Sequence, residues 1–227
     1  MEKRIRNAVT DLQDYCRQIG VDWQTLTVIA ATKTQSVETI NLLPSCGIHV
    51  AAENRVQEFL EKYDKTSGVE WQFIGRLQTN KVKYLIDKVT LIQSVDRAEL
   101  AQEIQKQAKK HGKIMPILLE VNVGREAEKG GVLPENLEML YKEVCAMDCV
   151  RVVGLMSVLP KNAPEQLYEQ MHSLFQEYRQ KDEAFRYLSM GMSGDYRTAL
   201  KHGANMIRLG TALFGERKGA NKENAEK

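Results

Sequence analysis

An alternation repeated eight times constrains this chain more than any other feature of it. Short apolar runs rich in β-branched residues take turns with longer segments whose apolar residues recur every three or four positions. The first kind reads as a strand and the second as an amphipathic helix. Strands joined through helices pair in parallel, because a crossover of that length brings the chain back in the same direction. Eight such units in 227 residues predict an α/β chain folded as one closed TIM-type (β/α)8 barrel, near the short end of the range for that fold. An open doubly wound sheet is the alternative architecture. No linker or low-complexity segment interrupts the pattern. Residues 1–227 therefore read as a single barrel domain, with a polar tail over about 216–227 expected to be disordered.

The units can be placed along the chain. Glu2 to about Ile19 puts Ile5, Val9, Leu12, Cys16 and Ile19 on one helical face and adds an extra helix before the first strand. Strands are expected at 27–32, 48–52, 71–74, 90–94, 116–123, 151–156, 187–190 and 206–209. Ser36 is a good N-cap for a helix ending near Gly47, and Asp96 for a long helix running to about His111. Further helices are expected from about Arg55 to Tyr63, from about Asn80, after Pro134, after Pro164 and over Tyr196 to Lys201.

Charge and composition exclude several function classes. Net charge is +2 and basic residues are interspersed with acidic ones, which argues against a nucleic-acid or membrane surface. No apolar stretch is long enough to span a bilayer. Met1 to Thr10 is charged and lacks the apolar centre of a secretory signal. The cysteines are Cys16, Cys46, Cys145 and Cys149, and the spacing of the last two is not a usual zinc pattern. Reduced thiols, no metal site and a cytoplasmic location are the expectation.

In a parallel barrel, chemistry gathers where strands end and the following loops begin. Lys33 closes the first strand, after Val28-Ile-Ala-Ala-Thr32. If it continues the inward-facing set it points into the barrel mouth, where apolar walls would favour a neutral amine able to attack an aldehyde. It can equally be a solvated lysine at a strand end. Arg208-Leu-Gly-Thr-Ala-Leu-Phe-Gly215 follows the eighth strand. There Gly210 lets a phosphate approach the backbone and Thr211 offers an N–H and a hydroxyl, with Ser193-Gly194 after the seventh strand completing a cradle. Gly210 can also serve only to relieve crowding. Strands one and eight are neighbours in a closed barrel, so an amine and a phosphate cradle would meet. One ligand with both an aldehyde and a phosphate is pyridoxal phosphate. Arg208 should point inward, either toward that ligand or into a salt bridge with Glu120. Asn54 can contact the ligand or cap the second helix of the barrel.

The ordered set of segments resembles a known family. Ala31-Thr-Lys33-Thr, Glu53-Asn-Arg-Val-Gln-Glu58, Trp71-Gln-Phe-Ile-Gly-Arg-Leu-Gln-Thr-Asn-Lys81, Leu188-Ser-Met-Gly-Met-Ser193 and Ile207-Arg-Leu-Gly-Thr-Ala-Leu-Phe-Gly215 are similar to the pyridoxal phosphate homeostasis proteins. The likeness runs from about Thr27 to Gly215. It implies the alanine racemase N-terminal barrel, the fold type III pyridoxal-phosphate barrel, with Lys33 forming the internal aldimine. It implies that Arg208 faces the pyridine nitrogen, that Ser193, Gly210 and Thr211 hold the phosphate, and that Asn54 lines the ring. It also implies a cofactor carrier or buffer in vitamin B6 and amino-acid homeostasis, without an established catalytic activity, possible partners being apo-enzymes that use the cofactor. Two positions depart from the family: Ala52 stands where glycine is usual, and Gly194 where a polar or acidic residue is usual. An amino-acid racemase is the alternative function. It needs an acid/base group on each face of the cofactor, and the related racemases take the second from a tyrosine of a partner subunit positioned by a β domain. No such domain is expected here, and a monomer is. A phosphosugar isomerase would want a carboxylate base after a late strand, and none stands out.

Overall fold

The computed structural model describes residues 1–216. Eight parallel strands follow chain order around a closed ring. They are β1 (Thr27–Ala31), β2 (Val50–Glu53), β3 (Glu70–Phe73), β4 (Leu91–Val95), β5 (Met115–Glu120), β6 (Val150–Met156), β7 (Tyr187–Met192) and β8 (Met206–Leu209). β1 closes the ring, with Ile29 opposite Val50 on one side and Arg208 on the other. The closed ring decides against the open doubly wound sheet.

The helices α1 (Glu2–Gln18), α2 (Val37–Ile40), α3 (Val56–Tyr63), α4 (Ala98–Lys110), α5 (Leu137–Cys145), α6 (Glu165–Lys181), α7 (Tyr196–Lys201) and α8 (Thr211–Phe214) accompany the ring. α1 is the extra helix the periodicity calls for, and it buries Ile5, Val9, Leu12 and Cys16. Outward-facing strand residues and the inner faces of the helices form the large core. A second, smaller core fills the barrel, built on Ile29, Ala52, Leu91, Leu118, Met156 and Met206.

Local chemistry moved several boundaries. The segment after Ser36 is not one helix to Gly47. Ser36 Oγ does accept from the Thr39 N–H at 3.3 Å, but α2 stops at Ile40 and Pro44 starts a separate 3-10 turn. The helix expected near Asn80 is a 3-10 segment, Thr79–Tyr84, and Pro134 likewise opens a 3-10 turn before α5. Asp96 does not cap α4. Arg97 takes the N-cap position, and the Asp96 carboxylate pairs with its guanidinium instead. β5 ends at Glu120 rather than near Val123, because Val121 leaves the ring to bridge Val132. α8 has no counterpart in the periodicity, being a single turn. Of the tail, residues 217–227 lie outside the described residues.

All four cysteines are free. Among the described residues no His, Cys, Asp and Glu grouping could hold a metal ion, and no helix is long and apolar enough to cross a membrane.

Candidate functional site

A cavity of about 490 Å³ opens at the C-terminal ends of the strands. Lys33, Asn54, Ser193, Arg208, Gly210 and Thr211 all line it. The structure thus brings the six singled-out residues together, from the ends of β1, β2, β7 and β8.

On the β1 side, strand alternation sends Ile29 into the barrel core and Ala31 to the cavity wall, and Lys33 continues that series. Its chain neighbours are held from both sides. Thr32 Oγ1 donates to the Ala52 carbonyl at 3.1 Å and to Glu53 Oε1 at 2.7 Å. Lys62 Nζ, from α3, donates to the same Glu53 oxygen at 2.6 Å and to the Thr32 carbonyl at 2.9 Å. Beyond the lysine, Thr34 turns the chain at φ 65° and its N–H donates to Glu58 Oε2 at 3.1 Å. Glu53 is fully buried and Lys62 nearly so. A buried ion pair therefore fixes the backbone before Lys33, and a second carboxylate fixes it after.

The Lys33 side chain itself is exposed. The expectation of enclosing apolar walls is corrected here: β1 ends at Ala31, and the turn at Thr34 leaves the amine at the open mouth. Among the described residues it has no hydrogen bond or ion pair. Asn54 does not cap α3, whose N-cap is Arg55. Its backbone is set by β3, since a Cβ on Gly75 would lie 2.1 Å from the Asn54 carbonyl oxygen. Ala52, the first departure from the family pattern, points its methyl into the barrel core.

The opposite wall is made of loops. Ser193 Oγ accepts from the Gly210 N–H at 3.0 Å and from the Ala212 N–H at 3.1 Å. It thereby caps the turn of α8. Asp195 steadies the Ser193 loop by accepting from the Met192 N–H at 2.7 Å and from the Tyr168 hydroxyl at 2.8 Å. Crowding does not explain Gly210, because a Cβ there would stand 3.7 Å from its nearest neighbour. A Cβ on Gly194 would meet nothing within 4 Å, so this second departure leaves open space in front of the loop. Met192 also lines the cavity, whereas Met190 is core.

Arg208 points inward from β8. It does not form the alternative salt bridge to Glu120. Its Nη1 donates to the Ser189 carbonyl at 3.0 Å and hydroxyl at 2.7 Å, and its Nη2 to the Ser157 carbonyl at 2.8 Å. Burial lowers its pKa to about 10, opposed by the field of Glu120, so it stays charged at neutral pH. Behind it a polar chain crosses the barrel interior. Ser189 Oγ donates to Gln93 Oε1 at 2.7 Å, and Gln93 Nε2 donates to Gln72 Oε1 at 2.6 Å. Glu120, at the end of β5, is buried and is pushed up to about 7 by burial and by Asp96, against the pull of Arg208 and Arg76. The sequence reading did not single out Lys62, Gln72, Gln93 or Ser189 as parts of the site, and it placed Glu120 only as a salt-bridge partner for Arg208. The available signal was a polar residue at an inward position of an otherwise apolar strand.

The model of the family described as "Alanine racemase, N-terminal domain" matches residues 24–218. A curated relative from Aquifex aeolicus, a pyridoxal phosphate homeostasis protein, is 45% identical over 95% of this chain and 98% of its own length. The chain belongs to the pyridoxal phosphate homeostasis protein family. Another homeostasis protein, from Pasteurella multocida, is 32% identical over 96% of this chain and 97% of its own. The solved structure of PipY from Synechococcus elongatus with pyridoxal phosphate bound superposes with a TM-score of 0.81 at 27% identity, covering 93% of this chain and all of PipY. Alanine racemase from Clostridium difficile shares the fold, with a TM-score of 0.75 at 18% identity over 96% of this chain and 58% of the racemase.

Proposed function

We propose that this homeostasis protein binds pyridoxal phosphate in the cavity at the barrel mouth and carries or buffers it, releasing it to apo-enzymes that need it. One observation carries the reading: an unpaired amine, a buried guanidinium and the loop residues Ser193, Gly210 and Thr211 all line a single cavity of about 490 Å³. Those donors fit the cofactor's separate groups. Bound there, pyridoxal phosphate supplies an aldehyde for the amine and a phosphate for the cradle.

Lys33 would hold the cofactor through its aldehyde, and the clamped neighbours keep the lysine in place for it. Ser193, Gly210 and Thr211 take the phosphate, through hydroxyls and backbone N–H groups. Asn54 lines the ring. Arg208 would face the pyridine nitrogen as a charged donor and so would keep it unprotonated, a state in which the ring is a poor electron sink. A protein tuned this way holds the cofactor without driving carbanion chemistry.

The carrier reading is favoured over the racemase by the lining. Among the described residues no tyrosine, histidine or carboxylate faces the cavity, leaving Lys33 as its one acid/base group. Racemisation by two bases needs a second. The test is spectroscopic. Protein mixed with pyridoxal phosphate should show the visible band of an amine-bound cofactor, and Lys33→Ala should lose it. A band that survives Lys33→Ala overturns the assignment. Loaded protein should restore activity to an apo-enzyme. Racemisation of L-alanine at ordinary enzyme rates would overturn the carrier reading.

A further inference from the structure

A second cavity, of about 730 Å³, lies beside the first and shares Asn54 with it. Arg55, Arg76, Lys81 and Arg97 line it, contributed by the starts of α3 and α4, by the loop after β3 and by the 3-10 segment Thr79–Tyr84. Of these four cations only Arg97 is closely paired, with Asp96. Arg55 is 3.9 Å from its nearest carboxylate, Glu58, which Lys62 shares at 3.6 Å. Neither Arg76 nor Lys81 has an ion-pair partner among the described residues. Val56 and Gln57, the first residues of α3, also face the recess, and no side chain caps that helix. Its floor is apolar, formed by the buried Phe73 and Leu77.

Arg76 and Lys81 without an ion-pair partner among the described residues, and Arg55 only loosely paired with Glu58 at 3.9 Å, crowd positive charge around one concave surface, so this recess gains from an anion. Two features select the anion's class. Guanidinium groups bind phosphate oxygens in pairs, and the N-terminus of a helix presents N–H groups and a positive dipole end to the same charge. The apolar floor suits a carbon skeleton on the other side of the ligand. We infer that the recess bounded by Arg55, Arg76 and Lys81 is a binding site for a phosphate-bearing small molecule, separate from the cradle of Ser193 and Gly210. It does not depend on the cofactor reading, since none of these cations belongs to the first cavity.

The test uses calorimetric titration of the full chain at low ionic strength, first loaded with pyridoxal phosphate so that the cradle is filled. Inorganic phosphate should still bind at one site, and Arg76→Gln combined with Lys81→Gln should weaken it by at least about tenfold. The cofactor band and the melting temperature should not change. Lys81→Arg should retain binding. n-Butyl phosphate should bind more tightly than inorganic phosphate, through the apolar floor. Absence of saturable binding to the parent protein overturns the site, as does equal binding to the double variant. Succinate binding as strongly as phosphate, with the same dependence on Arg76 and Lys81, overturns the phosphate assignment. If no cofactor loads, the same titration runs on the unloaded chain. There the recess variant should lose a phosphate site that Thr211→Val leaves intact, so the two readings fail separately.

Discussion

The two walls of the first cavity are built on different physics. The β1 wall is fixed by charges taken out of water: Glu53 and Lys62 meet at 2.6 Å, and both grip Thr32. The β7–β8 wall is fixed by a neutral hydroxyl, Ser193 Oγ, that accepts two backbone N–H groups at 3.0 and 3.1 Å. A buried ion pair resists rearrangement, because opening it strands a charge in a low dielectric. A hydroxyl cap exchanges its partners at little cost. One wall is thus preset and the other can adapt, which suits the carrier proposed above, where Lys33 is aimed and an anion is accepted and released.

The sharpest way to break this comparison is Lys62→Met. It leaves Glu53 buried without its partner and should cost about 3–5 kcal/mol in urea-induced unfolding. Adding Glu53→Gln should recover much of that loss. A cost below about 1 kcal/mol would mean the ion pair is not what holds the wall.

Glu120 tests whether buried charge is confined to the lysine side. Its carboxyl is raised from the ordinary 4.5 to about 7 in the folded protein. Between those values the folded state keeps a proton that the unfolded state has released. Stability attributable to Glu120 therefore falls as pH rises from about 4.5 to about 7, and stays low above that. Glu120→Gln should flatten this slope and raise stability at pH 8 by up to about 3 kcal/mol. Thermal melts across that range would read it, and a variant with the parent's slope would remove Glu120 from the account.

The smallest effect belongs to the adaptable wall. Ser193→Ala should cost about 1 kcal/mol, the scale of a neutral hydrogen bond. Saturating phosphate should narrow the gap by supplying new acceptors to Gly210 and Ala212. A loss comparable to that of Lys62→Met would erase the difference between the walls.

The same contrast marks what the sequence could disclose. Strand alternation carried Lys33 and Arg208 to the barrel mouth, and β8 was readable to the residue, because period and chain order suffice for both. Lys62 looked like any solvated lysine on a helix. Its burial depends on α3 lying over the β1–β2 loops, a tertiary fact. Gln93 and Ser189 are 96 positions apart, and only the register around the ring joins them. The 3-10 segments escaped notice for a different reason: a tight turn over Thr79–Tyr84 carries the same apolar spacing as the start of an α-helix.

Ring closure between β1 and β8 has a consequence for the chain as it is made. The cavity draws its wall from both ends of the chain, Lys33 following β1 while Arg208, Gly210 and Thr211 belong to β8 and the turn after it. A nascent or truncated barrel lacking its final strand holds the amine but lacks Arg208, Gly210 and Thr211, and so leaves the pocket incomplete. A ligand held as proposed would therefore report that the seam between the two chain ends has sealed, and whatever free energy it supplied would act as a rivet on that seam.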